Sequence, residues 1–368
     1  MASDLARDER AMLNGGVLPT DVMHEILLRF LLRVPAKALC RLRLVCRAWR
    51  SLTSDPRFAR AHSARHPVLV ALLLADEEIH ILDLSGGIVK RIRGLGHLIW
   101  YLTMHAGLVC VSTSALDAAD AADADLVLNP ATGAVSILPG NWPPLVHACV
   151  LGRVPSTGEC KVLRLSYYLK NDDEGFVGAC EVIALGGAGD QTWRAKPSPV
   201  NISADADYIA AVDGIAYFLS GAAGRRHVRP SHRGVEAGGS PGSAEQPYAY
   251  QETGCIQFAA WDGCFVVIHH KQRDCSTDLW FLVDVDKGSW TKRYSMRCAS
   301  RWHHAPFYSP RPLGVLDDGR ILAWLQKQYL LTAYDPRTET WADLASLSEH
   351  YHTVVMHQGS LLCPDLQG

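Results

Sequence analysis

The stretch LTAYDPRTETWADL, residues 331–344, is the clearest copy of a pattern that recurs along the chain. It reads as a short β-run, a polar turn of turn-forming residues, and a second β-run that opens on Trp341. The same layout recurs as LVLNPATGAVSILP (126–139) and FLVDVDKGSWTKRY (281–294), and more weakly as IHILDLSGGIVKRI (79–92) and VIALGGAGDQTWRAK (182–196). A second signature accompanies it: a turn closed by glycine and followed by an apolar run, as at Val212-Asp213-Gly214, Trp261-Asp262-Gly263 and Asp317-Asp318-Gly319. Glycine suits such a turn because it reaches positive φ without steric cost. Glycines of this kind stand at 107, 158, 214, 263, 319 and 359, between 40 and 56 residues apart.

A β-repeat near that period predicts a propeller of four-stranded blades around an axis. Residues 66–364 would then hold roughly six blades. A β-sandwich is the competing fold, but it needs no regular alternation of the two signatures. The first strands after residue 66 and the last apolar run, Val354–Cys363, are expected to share a blade, which leaves no free edge at the seam. The repeat fails between Leu219 and Gln251, where the chain is rich in Gly, Pro, Ser and Arg. Such composition buries too little apolar surface to offset ordering, so residues 221–247 are expected to be a low-complexity insertion without structure. Residues 114–125 form a smaller acidic loop.

The front of the chain has a different texture. Residues 24–66 carry ten Lys/Arg against only Glu25 and Asp55, a net of +8 that leaves −10 for the remainder and −2 overall. The total excludes a globally basic nucleic-acid binder, and the asymmetry predicts a partner-facing surface in this segment. Leu18-Pro19-Thr20-Asp21 is a helix-start signal, and Val22, Ile26 and Phe30 lie on one apolar face. Pro35 interrupts; Leu39 and Leu42, then Val45, Trp49 and Leu52, continue the spacing, and Asp55-Pro56 opens a further short helix. About 45 residues of short helices bury a marginal core, so the unit should lean on a partner or on the β-repeat.

These landmarks carry a resemblance. The string LPTDVMHEILLR, then VPAKALCRLRLVCRAWRSLTSDPRF, resembles an F-box, the adaptor-binding motif of ubiquitin-ligase receptors. The resemblance implies that Leu18, Pro19, Ile26, Leu27, Val34, Pro35, Leu39, Leu42, Val45, Cys46 and Trp49 form the surface for a Skp-type adaptor and its supporting core. The family runs directly from EILLR to VPAK, whereas here Phe30-Leu31-Leu32-Arg33 intervenes. Four residues rotate a helix by about 400°, so an extra turn nearly keeps its face. The expectation is that adaptor binding survives the insertion in weakened form. The β-repeat is similar to the F-box-associated and kelch-type domains of plant F-box proteins. The implied fold is multidomain, α plus all-β: a disordered N-terminus (1–15), a helical F-box (16–65) and a kelch-like β-propeller (66–364) of about six blades.

No catalytic signature competes with that reading. The chain lacks GxxxxGK[ST], GxGxxG and HExxH. Cys264, His269, His270 and Cys275 match no common zinc spacing, and successive histidines on a strand face opposite ways. No cofactor, metal or enzymatic activity is therefore expected. Trp302-His303-His304 is the candidate for binding substrate on the propeller, and Trp142, Trp261, Trp302 and Trp324 are candidates for an aromatic pocket.

The polar N-terminus has no secretory h-region, the longest apolar run is Val68 to Ala75, and the eleven cysteines contain no CxxC. These features predict reduced thiols and an intracellular protein, nuclear and/or cytoplasmic, with no membrane or nucleic-acid partner. The resemblance implies the substrate-recognition subunit of a Skp-cullin-F-box ubiquitin ligase. It would reach cullin and RING protein through the adaptor and hold an unidentified target protein on its propeller. The alternatives are an F-box sensor for a small molecule or glycan, and a scaffold independent of ubiquitin.

Overall fold

A computed structural model describes residues 29–42, 44–73, 78–93, 98–105, 107–114, 124–139, 146–169, 176–185, 192–197, 206–222, 225–231, 256–271, 274–298, 310–357 and 361. The helical unit comes first. A helical turn ends at Leu31 and is followed by α1 (Ala36–Leu42), α2 (Arg47–Ser54) and α3 (Pro56–Arg65). Asp55 caps α3 by accepting from the Arg57 amide at 2.6 Å, with Pro56 in the first turn where its missing N–H costs nothing. Leu31, Leu32, Leu39 and Phe58 form the small core, with Val34, Leu42, Trp49 and Leu52 packed around it. The intervening residues 30–33 are thus more than an added turn: Leu31 and Leu32 are among the most buried side chains of the unit, while Phe30 is 61% exposed.

All the sheets are antiparallel meanders. Blade one pairs β23 (Tyr351–Met356), β1 (Val68–Leu73), β2 (Ile79–Asp83) and β3 (Ile88–Ile92) in that order. Blade two is β4 (Leu98–His105), β5 (Leu108–Ser114), β6 (Ala124–Leu128) and β7 (Val135–Ile137). Blade three is β8 (Val146–Arg153), β9 (Cys160–Leu169), β10 (Phe176–Ala184) and β11 (Arg194–Lys196). Blade four shows β12 (Ile209–Val212), β13 (Ile215–Ala222) and β14 (Arg225–Ser231). Blade five is β15 (Ile256–Trp261), β16 (Cys264–Lys271), β17 (Ser276–Asp284) and β18 (Ser289–Arg297). Blade six is β19 (Arg311–Val315), β20 (Ile321–Leu325), β21 (Leu330–Asp335) and β22 (Thr340–Ser346).

The core has the symmetry of a ring. Six apolar clusters each lie between two consecutive blades, and the last joins blade six back to blade one through Leu322, Trp324, Leu69 and Val354. Each blade is therefore covered on both faces, which is why β1 reads VLVALL and is buried at every position. The outermost strands β7 and β11, which have a neighbour on one edge alone, are exposed at every position. The ring closes by chain pairing: Val70 opposes Val355, and the His357 amide donates to the Val68 carbonyl at 2.8 Å.

Both sequence signatures have a place in the blade. The glycine turns join the first and second strands, with Gly107, Gly158, Gly214, Gly263 and Gly319 all at φ between 71° and 85°. The polar turns join the third and fourth. One expectation fails: residues 221–247 were expected to lack structure, yet 225–231 form β14, paired with β13 from Ala216 opposite Ser231 to Ala222 opposite Arg225. The edge of β13 presents a row of backbone donors and acceptors, and a polar segment can satisfy these without burying apolar side chains.

Blades two and three are tied by a buried ionic network. The Arg164 guanidinium lies 2.7 Å from Glu181 and 3.6 Å from Asp125, and it stacks over Trp193 at 4.1 Å. Asp125 also accepts from Ser112 at 2.8 Å. The tryptophans after the polar turns reach across blades. Trp341 Nε1 donates to the Arg297 carbonyl at 2.7 Å, and Trp193 Nε1 donates to the Pro139 carbonyl.

Candidate functional site

Two surfaces are candidates: the helical unit and the axial mouth of the propeller beside it. Residues Leu18, Pro19, Ile26 and Leu27 lie outside the described residues. The remaining adaptor-reading positions separate into two groups. Leu39 is fully buried, and Val34, Leu42 and Trp49 pack on the small core, so these are supports. Pro35, Val45 and Cys46 are exposed. Beside them Leu44, which the sequence reading did not single out, is 82% exposed and Val45 67%. Isolated exposed leucines are ordinary, but adjacent ones on a unit this small form an apolar spot. Arg33, Arg41, Arg47 and Arg50 are exposed in the same unit, so its surface carries apolar and basic side chains.

Two histidines hold this unit in shape. His62 Nε2 donates to the Val34 carbonyl at 2.8 Å and His66 Nε2 to the Leu32 carbonyl at 3.0 Å. These carbonyls follow the end of a helical turn, where acceptors are otherwise orphaned. The rings stack 4.5 Å apart. Burial depresses the His62 pKa; its bond to Val34 opposes that shift, and His66 adds to it.

The propeller's position follows from chain direction. β1 leaves α3 directly, and it occupies the second place in a blade whose first strand is the C-terminal β23. The helical unit thus sits where the other blades have their glycine turns. On that side a cavity of about 520 Å3 is lined by Arg60 and Ser63 of α3 and by the ends of first strands, including Asp213, Asp262, Asp317 and His357. Asp213 and Asp262 both take left-handed backbone, φ 49°, as the first residues of Asp-Gly turns. Trp261 and Met356 contribute apolar walls.

Trp302, His303 and His304, the substrate-binding expectation, lie outside the described residues, as does Trp142. Trp324 is 1% exposed in the seam between blades six and one, so it is a packing residue. Trp261 is 5% exposed but lines the cavity. His269 and His270 are both buried on β16, and His270 Nδ1 lies 2.9 Å from Thr277 Oγ1. Burial brings the His270 pKa down to about 4, with His269 and Arg311 adding to the effect. Among the described residues no three His, Cys, Asp or Glu side chains come together to hold a metal ion, and no helix is long and apolar enough to cross a membrane. Cys110, Cys149, Cys160 and Cys180 are buried free thiols, and burial pushes Cys180 up to about 11.

Comparison with known proteins identifies the helical unit. Residues 16–64 match the F-box-like family. The chain therefore carries an F-box-like domain at its N-terminus, followed by a β-propeller. Two Arabidopsis thaliana relatives bear F-box names. One is 28% identical over 190 residues, covering 48% of this chain and 44% of that protein. The other is 26% identical over 210 residues, covering 51% and 49%. The chain spans about half the length of the curated relatives it matches. Among solved structures, TolB from Acinetobacter baumannii aligns with TM-score 0.48 at 12% identity, covering 79% of this chain and 66% of that one. A chain of the nidogen/laminin complex aligns with TM-score 0.44 at 10% identity, covering 80% and 99%. Neither is close enough to carry function.

Proposed function

We propose that this chain is the substrate-recognition subunit of a Skp-cullin-F-box ubiquitin ligase. The carrying observation is the F-box-like domain over 16–64, whose described part presents Leu44 and Val45 to solvent beside exposed arginines. In this reading a Skp-type adaptor, acidic in this family, covers these apolar and basic side chains, and cullin and RING protein follow through it. The propeller holds a target protein. Because α3 stands at the glycine-turn side, the target face is the opposite one. The proposed contacts on it are Trp302, His303 and His304, which stand between β18 and β19 in the chain. The chain performs no bond chemistry: it raises the effective concentration of target lysines near the charged ubiquitin-conjugating enzyme. It works inside the cell, in nucleus, cytoplasm or both.

Affinity purification of the full chain, beside a Leu18→Ala/Pro19→Ala double variant, tests this. Recovery of a Skp-type adaptor and a cullin with the parent but not the variant is expected. Absence from both supports the ubiquitin-independent scaffold instead.

A further inference from the structure

The cavity between α3 and the axial mouth has chemistry that adaptor docking does not use. Asp213, Asp262 and Asp317 come from the turns between first and second strands in three consecutive blades, and all three are exposed. None has an ion-pair partner among the described residues. Arg60, projecting from α3 into the same lining, has none either. Carboxylates on the propeller thus share the cavity lining with the Arg60 guanidinium of the helical unit and with Arg153, whose Nε donates to the Gly158 carbonyl.

A second observation is independent of those charges. His357 lines the cavity, is 5% exposed, and neither ring nitrogen has a hydrogen-bond partner among the described residues. Buried polar atoms are ordinarily paired, and an imidazole with both nitrogens unmet calls for a group that donates to one and accepts from the other. Burial lowers the His357 pKa to about 4, so the ring is neutral near pH 7 and keeps one donor and one acceptor. Trp261 supplies an apolar wall. The volume, about 520 Å3, lies in the range of small-molecule sites.

We propose that this cavity binds a small zwitterion with an apolar body, an amino acid or dipeptide. Its ammonium lies at the Asp213–Asp262–Asp317 wall, its carboxylate at Arg60, and its amide or polar backbone at His357. Such a ligand touches the F-box-like unit and the propeller at once, so it fixes one against the other. The site is independent of whether an adaptor docks on Leu44 and Val45.

Isothermal titration of the full chain with leucyl-phenylalanine, its N-acetyl form and its C-terminal amide tests the proposal, since the three differ by one charge at nearly constant shape. The free dipeptide is expected to bind at least about five-fold more tightly than either blocked form, the scale of one exposed charge pair. Asp262→Asn, which tolerates left-handed backbone, and Arg60→Gln are each expected to weaken it by about five-fold while the unliganded melting temperature stays put. Three outcomes would overturn the proposal: no heat at millimolar dipeptide, equal binding of a blocked form, or affinity untouched by both substitutions.

Discussion

Val70, in the first strand after the helical unit, pairs with Val355, a few residues before the end of the described chain. Blade one is therefore built from both ends of the propeller sequence, and β1, paired with β2 on one edge, has its other edge open until β23 arrives. Val354, fully buried in the seam between blades six and one, sits in the same pairing opposite Ala71. A chain ending before Tyr351 should lose its cooperative thermal transition by calorimetry. It should also expose β1, an apolar strand with an open edge, and aggregate. A truncated chain that melts like the parent would contradict closure by pairing.

The hydrogen bond from Trp341 to the Arg297 carbonyl gives a second, smaller test. Trp341→Phe keeps most of the packing on Tyr334, whose ring is 4.9 Å away, and removes the donor. A loss of about 1 kcal/mol in denaturant unfolding is expected, the ordinary worth of one hydrogen bond. Trp341→Ala should cost clearly more, because it also empties the contact.

Much of this fold was legible in the sequence, and the reason is local. The turns that join strands one to two and three to four depend on Asp, Gly, Asn and Pro at fixed offsets, so LTAYDPRTETWADL and Trp261-Asp262-Gly263 read correctly without any tertiary knowledge. The segment 225–231 did not, because its pairing to β13 is a backbone interaction that side-chain composition does not report. His357 stands in sequence two residues before the turn glycine Gly359. Its meeting with Asp213 and Arg60 depends on ring closure, which brings distant turns to one axis. Likewise Leu31 and Leu32 read in sequence only as part of the intervening Phe30–Arg33 segment, and their burial follows from contacts with Leu39 and Phe58.

That burial changes what the extra residues should do. Leu31→Ala is expected to cost about 2–5 kcal/mol in the stability of the helical unit, the range for a truncated core leucine. Phe30→Ala, on the exposed side, should be nearly neutral. Hydrogen exchange restricted to peptides from residues 29–66 would separate the two. Deleting 30–33 should therefore reduce adaptor capture by unfolding the unit, a stronger effect than a mere shift of phase.

Acid should destabilise the propeller through its buried histidines. His270 and His357 both have folded pKa values of about 4, below the usual 6.5 of the free side chain. The unfolded chain thus binds more protons between those values. Stability is fully present above pH 6.5 and falls as pH drops toward 4, by on the order of 2 kcal/mol per histidine by pH 5. His270→Gln should flatten the slope of unfolding free energy against pH in this window. An unchanged slope would show that the ring is not buried neutral.

In the proposed function the exposed apolar and basic side chains of the helical unit dock an adaptor. The direct measurement is the affinity of the purified full chain for a purified Skp-type adaptor, beside a Leu44→Asp/Val45→Asp variant. Both leucine and valine are exposed, so the variant should melt with the parent. Two desolvated apolar contacts replaced by carboxylates facing an acidic partner should weaken binding by at least about a hundred-fold, roughly 3 kcal/mol. Tight binding by the parent and its loss in the variant is the predicted result. Failure of the parent to bind, or equal binding by the two, would contradict the account.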